Sequence, residues 1–199
     1  GYHKFEFDAF GFPYDYRVSR FEEAIKIIHG LLRSGSIDFH GKYYDARACE
    51  LTPRGPRPNG PPILVGSKSP RMLSVTAKYA DSWNAYYDDT HNQVEGIRRL
   101  RPIIDAACVK EDRDPRTLER TATVLVADKS ADPWWDRLPS EQTIKQNPLV
   151  PVTGTAEHVA KILTEYQEEG INHIQICLEP TNLKTIEEFA QVLEYLDSN

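Results

Sequence analysis

Apolar positions along the chain alternate between helical spacing and short unbroken runs. The first helical pattern begins near residue 17, and Gly35 is its predicted end. Its apolar stripe consists of Val18, Phe21, Ala24, Ile25, Ile28, Leu31 and Leu32. The same spacing predicts four further helices, over residues 70–79, 91–109, 155–169 and 184–196. Pro102 is expected to kink or split the second of these four.

Four short runs between the helices have the composition of strands. They cover residues 63–66, 80–85, 120–127 and 171–178. The first is an unbroken apolar run and the third is rich in Thr and Val, as in strands buried in parallel sheets. Strands that alternate with helices predict βα units and the α/β class. The pattern fits either a small open sheet or half of a barrel.

Three connecting segments break the alternation. Residues 39–44 predict a short hairpin, and the Pro- and Gly-rich residues 53–62 cannot be helical. Residues 129–153 show no clear period and are predicted to be a long loop or insert within a single domain, residues 1–199. Trp134 and Trp135 in this loop fit either a lid over a pocket or an anchor for the loop.

Composition excludes several classes of protein. Hydrophobic residues make up 40% and charged residues 27%, which indicates a globular chain rather than a disordered one. The net charge of -6 and the absence of a basic stripe argue against nucleic acid, and no apolar run is long enough to span a membrane. Three scattered cysteines without metal-ligand spacing predict no metal site and favour a reducing, cytoplasmic setting. The chain does not begin with Met, so a missing leader carries no conclusion.

Four segments carry a resemblance to a known family. They are residues 6–32, with Phe10-Gly11-Phe12-Pro13; residues 39–44, Phe-His-Gly-Lys-Tyr-Tyr; residues 61–84, from Pro-Pro-Ile-Leu-Val-Gly to Ala-Asp-Ser-Trp-Asn; and residues 154–171, which open with Gly-Thr-Ala-Glu. In this order and spacing they resemble the luciferase-like monooxygenase and coenzyme F420-dependent oxidoreductase family. The resemblance spans most of the chain.

The resemblance implies a (β/α)8 TIM barrel. Such barrels need about 250 residues, and Gly1 would fall at the end of the fourth strand. The chain would then supply the second half of the barrel, strands five to eight with their helices. In the family the early strands carry much of the surface that contacts the flavin ring. The catalytic residues are therefore unknown from this chain.

The end of the first predicted strand is the strongest candidate site, because TIM-barrel sites lie at the C-terminal ends of strands. Glycine allows a ligand to approach the backbone, and the start of the following helix favours an anion such as a phosphate. In the family, this turn helps to hold the cofactor phosphate. The candidate cofactor-binding residues here are Gly66, Ser67, Lys68, Ser69 and Arg71. The alternative is that Ser69 and Pro70 form only a cap and a turn.

Other candidates lie near further strand ends. Trp83 fits either a contact with the cofactor or substrate or a large core residue, and Asn84 could bind polar ligand edges. His3 is the histidine most readily placed near a ligand, although an exposed terminal histidine is the simpler interpretation. Asp128 and Glu179 have no visible partner and fit solvated loop carboxylates.

No nucleotide-binding glycine motif, P-loop, serine-hydrolase elbow or zinc-protease motif is present. This suits an enzyme whose difficult chemistry belongs to a bound cofactor. The resemblance predicts an oxidoreductase or monooxygenase that uses coenzyme F420 or FMN on a small organic substrate, with a slight preference for F420. The alternative is a half-barrel that is inactive alone. A homo-oligomer, or pairing with a missing N-terminal half, is expected because half a barrel leaves two open sheet edges.

Overall fold

The computed structural model describes residues 3–128 and 149–198. The chain packs as two compact units, Gly1–Ile63 and Leu64–Asn199, here called the N-terminal unit and the sheet unit. The predicted single domain stays a prediction. The predicted long loop lies mostly outside the described residues, and Trp134 and Trp135 lie there too.

The N-terminal unit consists of two helices and a hairpin. Its elements are α1 (Lys4–Phe10), α2 (Arg17–Ser34), β1 (Ser36–His40) and β2 (Asp45–Glu50). The predicted helix is confirmed, and Gly35 ends it in the left-handed conformation at φ 81° while donating to Leu31 O. The hairpin is longer than the predicted residues 39–44. Helix α1 was not predicted; it has only seven residues and buries none of them.

The sheet unit is a four-stranded parallel sheet with helices between the strands. Its elements are β3 (Leu64–Gly66), α3 (Pro70–Tyr79), β4 (Ser82–Ala85), α4 (Tyr87–Thr90), α5 (Val94–Lys110), β5 (Glu119–Ala127), α6 (Ala156–Glu168), β6 (His173–Glu179) and α7 (Leu183–Asp197), with a 3-10 turn at Pro115–Thr117. The spatial order of the strands is β3-β4-β5-β6, and each neighbouring pair is parallel. The α/β prediction and all four predicted strands are therefore confirmed.

Helix α5 runs through Pro102 without a break, so of the two expected effects the split is wrong and the kink stays a prediction. Proline removes one backbone hydrogen bond from a helix interior. Ile97 and Ile104 on either side of Pro102 are buried at 2% and 0% exposure, and Pro102 itself lies on the exposed face. Packing of this apolar stripe outweighs the lost hydrogen bond.

The two faces of the sheet differ in chemistry, because successive strand residues point to opposite sides. One face carries Trp83, Ala122 and Val124, which pack with the helices in the main hydrophobic core. The other face carries a polar row. Thr121 Oγ1 donates to Asn84 Oδ1 at 2.8 Å, and Asn84 Nδ2 donates to Thr123 Oγ1 at 2.9 Å. The row ends where Thr123 Oγ1 donates to Gln175 Oε1 at 3.0 Å.

Beyond the end of β4, a side chain takes the place of a neighbouring strand. Asn92 lies between α4 and α5 in the left-handed conformation at φ 55°. Its Oδ1 accepts from Leu125 N at 2.8 Å, and its Nδ2 donates to Leu125 O at 2.8 Å and to Val150 O at 3.0 Å. The amide thus pairs with β5 as a backbone segment would, and it fixes the C-terminal part of this strand.

Candidate active site

The predicted bend lies at the C-terminal end of β3, where Gly66 is in register with Asn84 of β4. Gly66 is exposed. A β-carbon added to Gly66 would meet only Asn84 O, at 3.8 Å, so its side-chain direction is open. The backbone at the end of β3 is therefore accessible to a ligand from the face of the sheet that carries the polar row.

The bend is tied to the sheet unit by two contacts of Ser67. The Trp83 Nε1–H donates to Ser67 O at 2.9 Å, and Ser67 Oγ lies 2.9 Å from Thr76 Oγ1. Thr76 Oγ1 donates its own proton to Met72 O at 2.8 Å, so Ser67 must be the donor to Thr76. The hydroxyl proton of Ser67 is used inside the fold, so this hydroxyl cannot also donate to an anionic ligand.

Ser69 takes the predicted position at the start of α3, with an extended backbone at φ -75° and ψ 145°, and Pro70 follows as the first helical residue. The Ser69 side chain does not cap the helix. The positive end of the α3 dipole therefore lies at the bend without a side-chain oxygen from Ser69 to satisfy it. Lys68 adds a positive charge, although its Nζ is paired with Asp89 Oδ1 at 2.5 Å. Arg71 is exposed.

The structure separates Trp83 from the bend's open face. Trp83 is 2% exposed and lies in the main core, which favours the core alternative for its ring. Asn84 is on the opposite face, buried at 8% exposure, with both ends of its amide hydrogen-bonded in the polar row. The sequence contained the signal for this separation, because two adjacent residues of one strand cannot point to the same face.

The remaining candidates are spread over the two units. Asp128 follows β5 and Glu179 is the last residue of β6, and Asp128 N donates to Glu179 O at 2.9 Å, so their backbones are adjacent. His3 is exposed in the N-terminal unit, with its ring centroid 5.3 Å from that of Phe5. Neither observation adds a group to the bend.

A cavity that the sequence did not predict lies at the C-terminal ends of β5 and β6, between α6 and α7. Its volume is about 400 Å³. Apolar side chains and a few polar side chains line it: Val126, Val159, Leu178, Phe189, Val192, Thr155, Thr185, Glu188 and Gln191. Two features noted in the sequence fall in this region: Thr155, which accepts from His158 N at the start of α6, and the strand-end candidate Asp128, which lines the cavity.

Two absences hold for residues 3–128 and 149–198. No group of three or more His, Cys, Asp or Glu side chains is placed to hold a metal ion there. No helix in the same residues is long and apolar enough to cross a membrane.

Comparison with known proteins shows both fold and family. The chain is 30% identical over 136 residues to the F420-dependent hydroxymycolic acid dehydrogenase of Mycobacterium tuberculosis, which covers 64% of this chain and 35% of that protein. It is 31% identical over 101 residues to the FMNH2-dependent dimethylsulfone monooxygenase of Pseudomonas putida, covering 49% of this chain and 27% of the relative. The chain thus spans about a third of the length of these curated relatives.

The fold is shared with complete barrels of this kind. The coenzyme F420-dependent tetrahydromethanopterin reductase of Methanopyrus kandleri superposes with a TM-score of 0.74 at 14% identity, over 98% of this chain and 71% of that structure. This likeness confirms the predicted TIM-barrel class, with the parallel sheet as part of a barrel. The profile of the luciferase-like monooxygenases matches residues 1–147. The chain therefore belongs to the luciferase-like monooxygenase family.

Proposed function

We propose that the chain is part of a flavin- or deazaflavin-dependent oxidoreductase and that the bend after β3 holds the phosphate of the cofactor. The observation that carries this proposal is the open approach at Gly66, next to the uncapped start of α3. A phosphate fits this set of groups, because it needs close access to the backbone, a helix N-terminus and nearby positive charge.

Each residue of the bend has a distinct role in this proposal. Gly66 supplies space for the anion, and Ser67 and Ser69 supply backbone groups. Lys68 and Arg71 supply charge from the rim. Trp83 acts from inside the core as a positioning residue, because its indole N–H holds the Ser67 carbonyl and so the path of the bend. The polar row, from Asn84 to Gln175, lines the sheet face on the open side of Gly66.

The bound cofactor would supply hydride transfer or oxygen activation toward a small organic substrate. Relatives that depend on F420 and on FMNH2 both support this proposal. The amino-acid sequences of residues 61–66 and 80–84 favour F420 over FMN slightly. No residue of this chain is assigned as catalytic. Titrating the intact protein with each cofactor, followed by cofactor fluorescence, tests the proposal, and binding of neither at micromolar concentration would contradict it.

Gly66→Val is the sharpest variant for this proposal. Valine is favoured in strands, and the direction of the new side chain is open in the fold, so we expect unfolding free energy to change by less than about 0.5 kcal/mol. The side chain would occupy the approach to the bend, so we expect cofactor affinity to fall at least about tenfold, or about 1.4 kcal/mol. Urea unfolding and the fluorescence titration measure the two effects.

Leu64→Val is the matched control, since Leu64 lies two residues earlier on the same face of β3 and is 46% exposed. It should leave cofactor affinity within about twofold of the original chain, a difference of about 0.4 kcal/mol. Equal cofactor affinities of the Gly66→Val variant and the original chain would contradict a phosphate site at the bend.

A second proposal is that this chain acts only as part of a larger or split assembly. The observation that favours it is the apolar stripe on α7, where Leu183, Ile186 and Leu193 are 79%, 51% and 51% exposed. Among the described residues, β6 pairs with a strand on one side only, so its other edge is open. Exposed apolar surface next to an open edge favours association with another chain.

This second proposal predicts self-association that depends on concentration. Light scattering of the original chain should show species larger than one copy at tens of micromolar, and the double variant Ile186→Glu, Leu193→Glu should stay monomeric. Both substitutions add charge at exposed positions, so circular dichroism should be unchanged. A monomer at all concentrations that binds cofactor by itself would contradict this proposal.

A further inference from the structure

We infer that the N-terminal unit carries a second ligand site, for a nucleoside phosphate, on the surface formed by Tyr16, Arg20, Lys42 and Tyr43. This surface is called the tyrosine-cation patch below. It lies entirely within the N-terminal unit and shares no residue with the bend after β3, so it does not depend on the function proposed above.

Two cations lie over tyrosine rings in the patch. The Arg20 guanidinium carbon is 4.6 Å from the centroid of the Tyr43 ring. Lys42 Nζ is 5.4 Å from the centroids of both Tyr16 and Tyr43, and these two rings are 6.1 Å apart. Beside the patch, the Arg17 guanidinium carbon lies 4.4 Å over the Tyr14 ring. Each of these three cations therefore lies over at least one tyrosine ring.

The cations of the patch form no ion pair with the described residues of the protein. Within the described part of the chain, no carboxylate lies within 4 Å of the charged nitrogens of Arg17, Arg20 or Lys42. Elsewhere on the same unit, exposed cations do pair with acids, as Lys4 with Asp8 at 2.7 Å and Arg47 with Asp45 at 3.2 Å. In a chain whose net charge is -6, unpaired cations gathered in one place favour an anionic ligand.

The Glu23 carboxylate beside the patch has a different task. The Glu23 carboxylate accepts hydrogen bonds from the backbone N–H groups of Lys42, Tyr43 and Tyr44 at 2.9, 2.8 and 3.0 Å. Although burial works in the opposite direction, these three hydrogen bonds hold the pKa of Glu23 below its ordinary value. Glu23 thus fixes the loop that presents Lys42 and Tyr43, and it stays ionised near neutral pH.

The patch is also preorganised around its rings. A side chain at Gly41 has no space, because an added β-carbon would lie within 2.7 Å of Glu23 and Phe39 atoms, so the loop packs closely on both. Tyr16 adopts the left-handed conformation at φ 57°, which is unfavourable for tyrosine, and the residue is 66% exposed. A ligand would therefore meet an ordered surface rather than one that must first be ordered.

A nucleoside phosphate matches both parts of this chemistry. Its planar base can stack on the exposed Tyr16 ring, a contact that tolerates any base because every base has a π face. Its phosphate can bind between Lys42 and Arg20, which supply a point charge and a planar fork of donors. An inorganic anion would use only the cations, and a neutral nucleoside would use only the ring.

Calorimetric titration with AMP, adenosine and inorganic phosphate separates these contributions. The titrations use the Gly66→Val chain, so that the bend does not contribute. We expect AMP to bind at least about tenfold more tightly than adenosine or inorganic phosphate alone, which corresponds to about 1.4 kcal/mol. Backbone amide signals of residues 42–44 should shift with AMP in an NMR titration.

Two variants test whether AMP binds at the tyrosine-cation patch. Lys42→Gln should weaken AMP binding at least about fivefold, or about 1 kcal/mol, while the backbone contact of residue 42 with Glu23 remains. Arg47→Gln removes the same charge from an exposed, ion-paired position nearby and should leave AMP binding unchanged. Equal loss in both variants would show only a general effect of net charge and overturn the site. AMP binding no tighter than inorganic phosphate would overturn the nucleotide as ligand.

Discussion

Replacing Asn92 by alanine is expected to lower the free energy of unfolding by about 3 kcal/mol. Asn92 is 4% exposed, and its amide makes three hydrogen bonds to the backbone at Leu125 and Val150. Alanine would remove all three and leave the buried N–H of Leu125 without its partner, while Leu125 O would keep only the hydrogen bond from Val152 N. Each buried group left unsatisfied costs roughly 1–3 kcal/mol, so the lost partners dominate the effect. Urea unfolding measures it.

Two further variants separate the hydrogen bonds from the backbone conformation at this position. Glycine adopts φ 55° at no cost but makes no side-chain hydrogen bond, so Asn92→Gly should lose nearly as much as Asn92→Ala. Asn92→Asp keeps the acceptor for Leu125 N but loses both donors and brings a charge into a buried place. If Asn92→Gly were as stable as the original chain, left-handed backbone preference rather than hydrogen bonding would explain the asparagine.

Asn92 also shows where reasoning from the sequence ends. The predicted strand at residues 120–127 and the observed β5 (Glu119–Ala127) agree closely, because Thr- and Val-rich runs are a strong local signal. The predicted helix at residues 91–109 instead begins at Val94. The Asn92 side chain, which hydrogen-bonds to β5 in place of a strand, leaves no periodic spacing of apolar residues in the sequence. The four-residue helix α4 before it is too short to show such a spacing.

The candidate site was predictable in place but not in detail. A glycine at the end of an apolar run, followed by Ser69 and Pro70, located the bend, because strand ends and helix starts have local signals. The orientation of the Ser67 side chain was not predictable, since it depends on a hydrogen bond to Thr76, nine residues later in α3. In the tyrosine-cation patch, α2 and the hairpin bring residues 16 and 42 together. No local sequence pattern predicts a contact between residues so far apart in the chain.

The same distinction between local preference and tertiary contact governs Gly96→Ala. Gly96 lies in the first turns of α5, where alanine would ordinarily stabilise a helix by about 1 kcal/mol relative to glycine. Here a β-carbon would lie 2.3 Å from Thr90 O, 2.5 Å from Thr90 Cα and 2.7 Å from Thr90 C. These are backbone atoms of a buried residue, so they cannot move aside as the end of a side chain can.

We therefore expect Gly96→Ala to lower the free energy of unfolding by about 3 kcal/mol, the upper range for overpacking, despite the better helix propensity of alanine. Gly30→Ala in α2 is the matched control. Its β-carbon would meet the Ile37 Cδ1 atom at 2.7 Å, at the end of a flexible side chain that can turn away. That variant should change stability by less than about 1 kcal/mol in either direction, because helix propensity and the small shift of Ile37 oppose each other. Similar values for the two variants would mean that α4 and α5 can separate at Thr90, and that Gly96 is not required for their close approach.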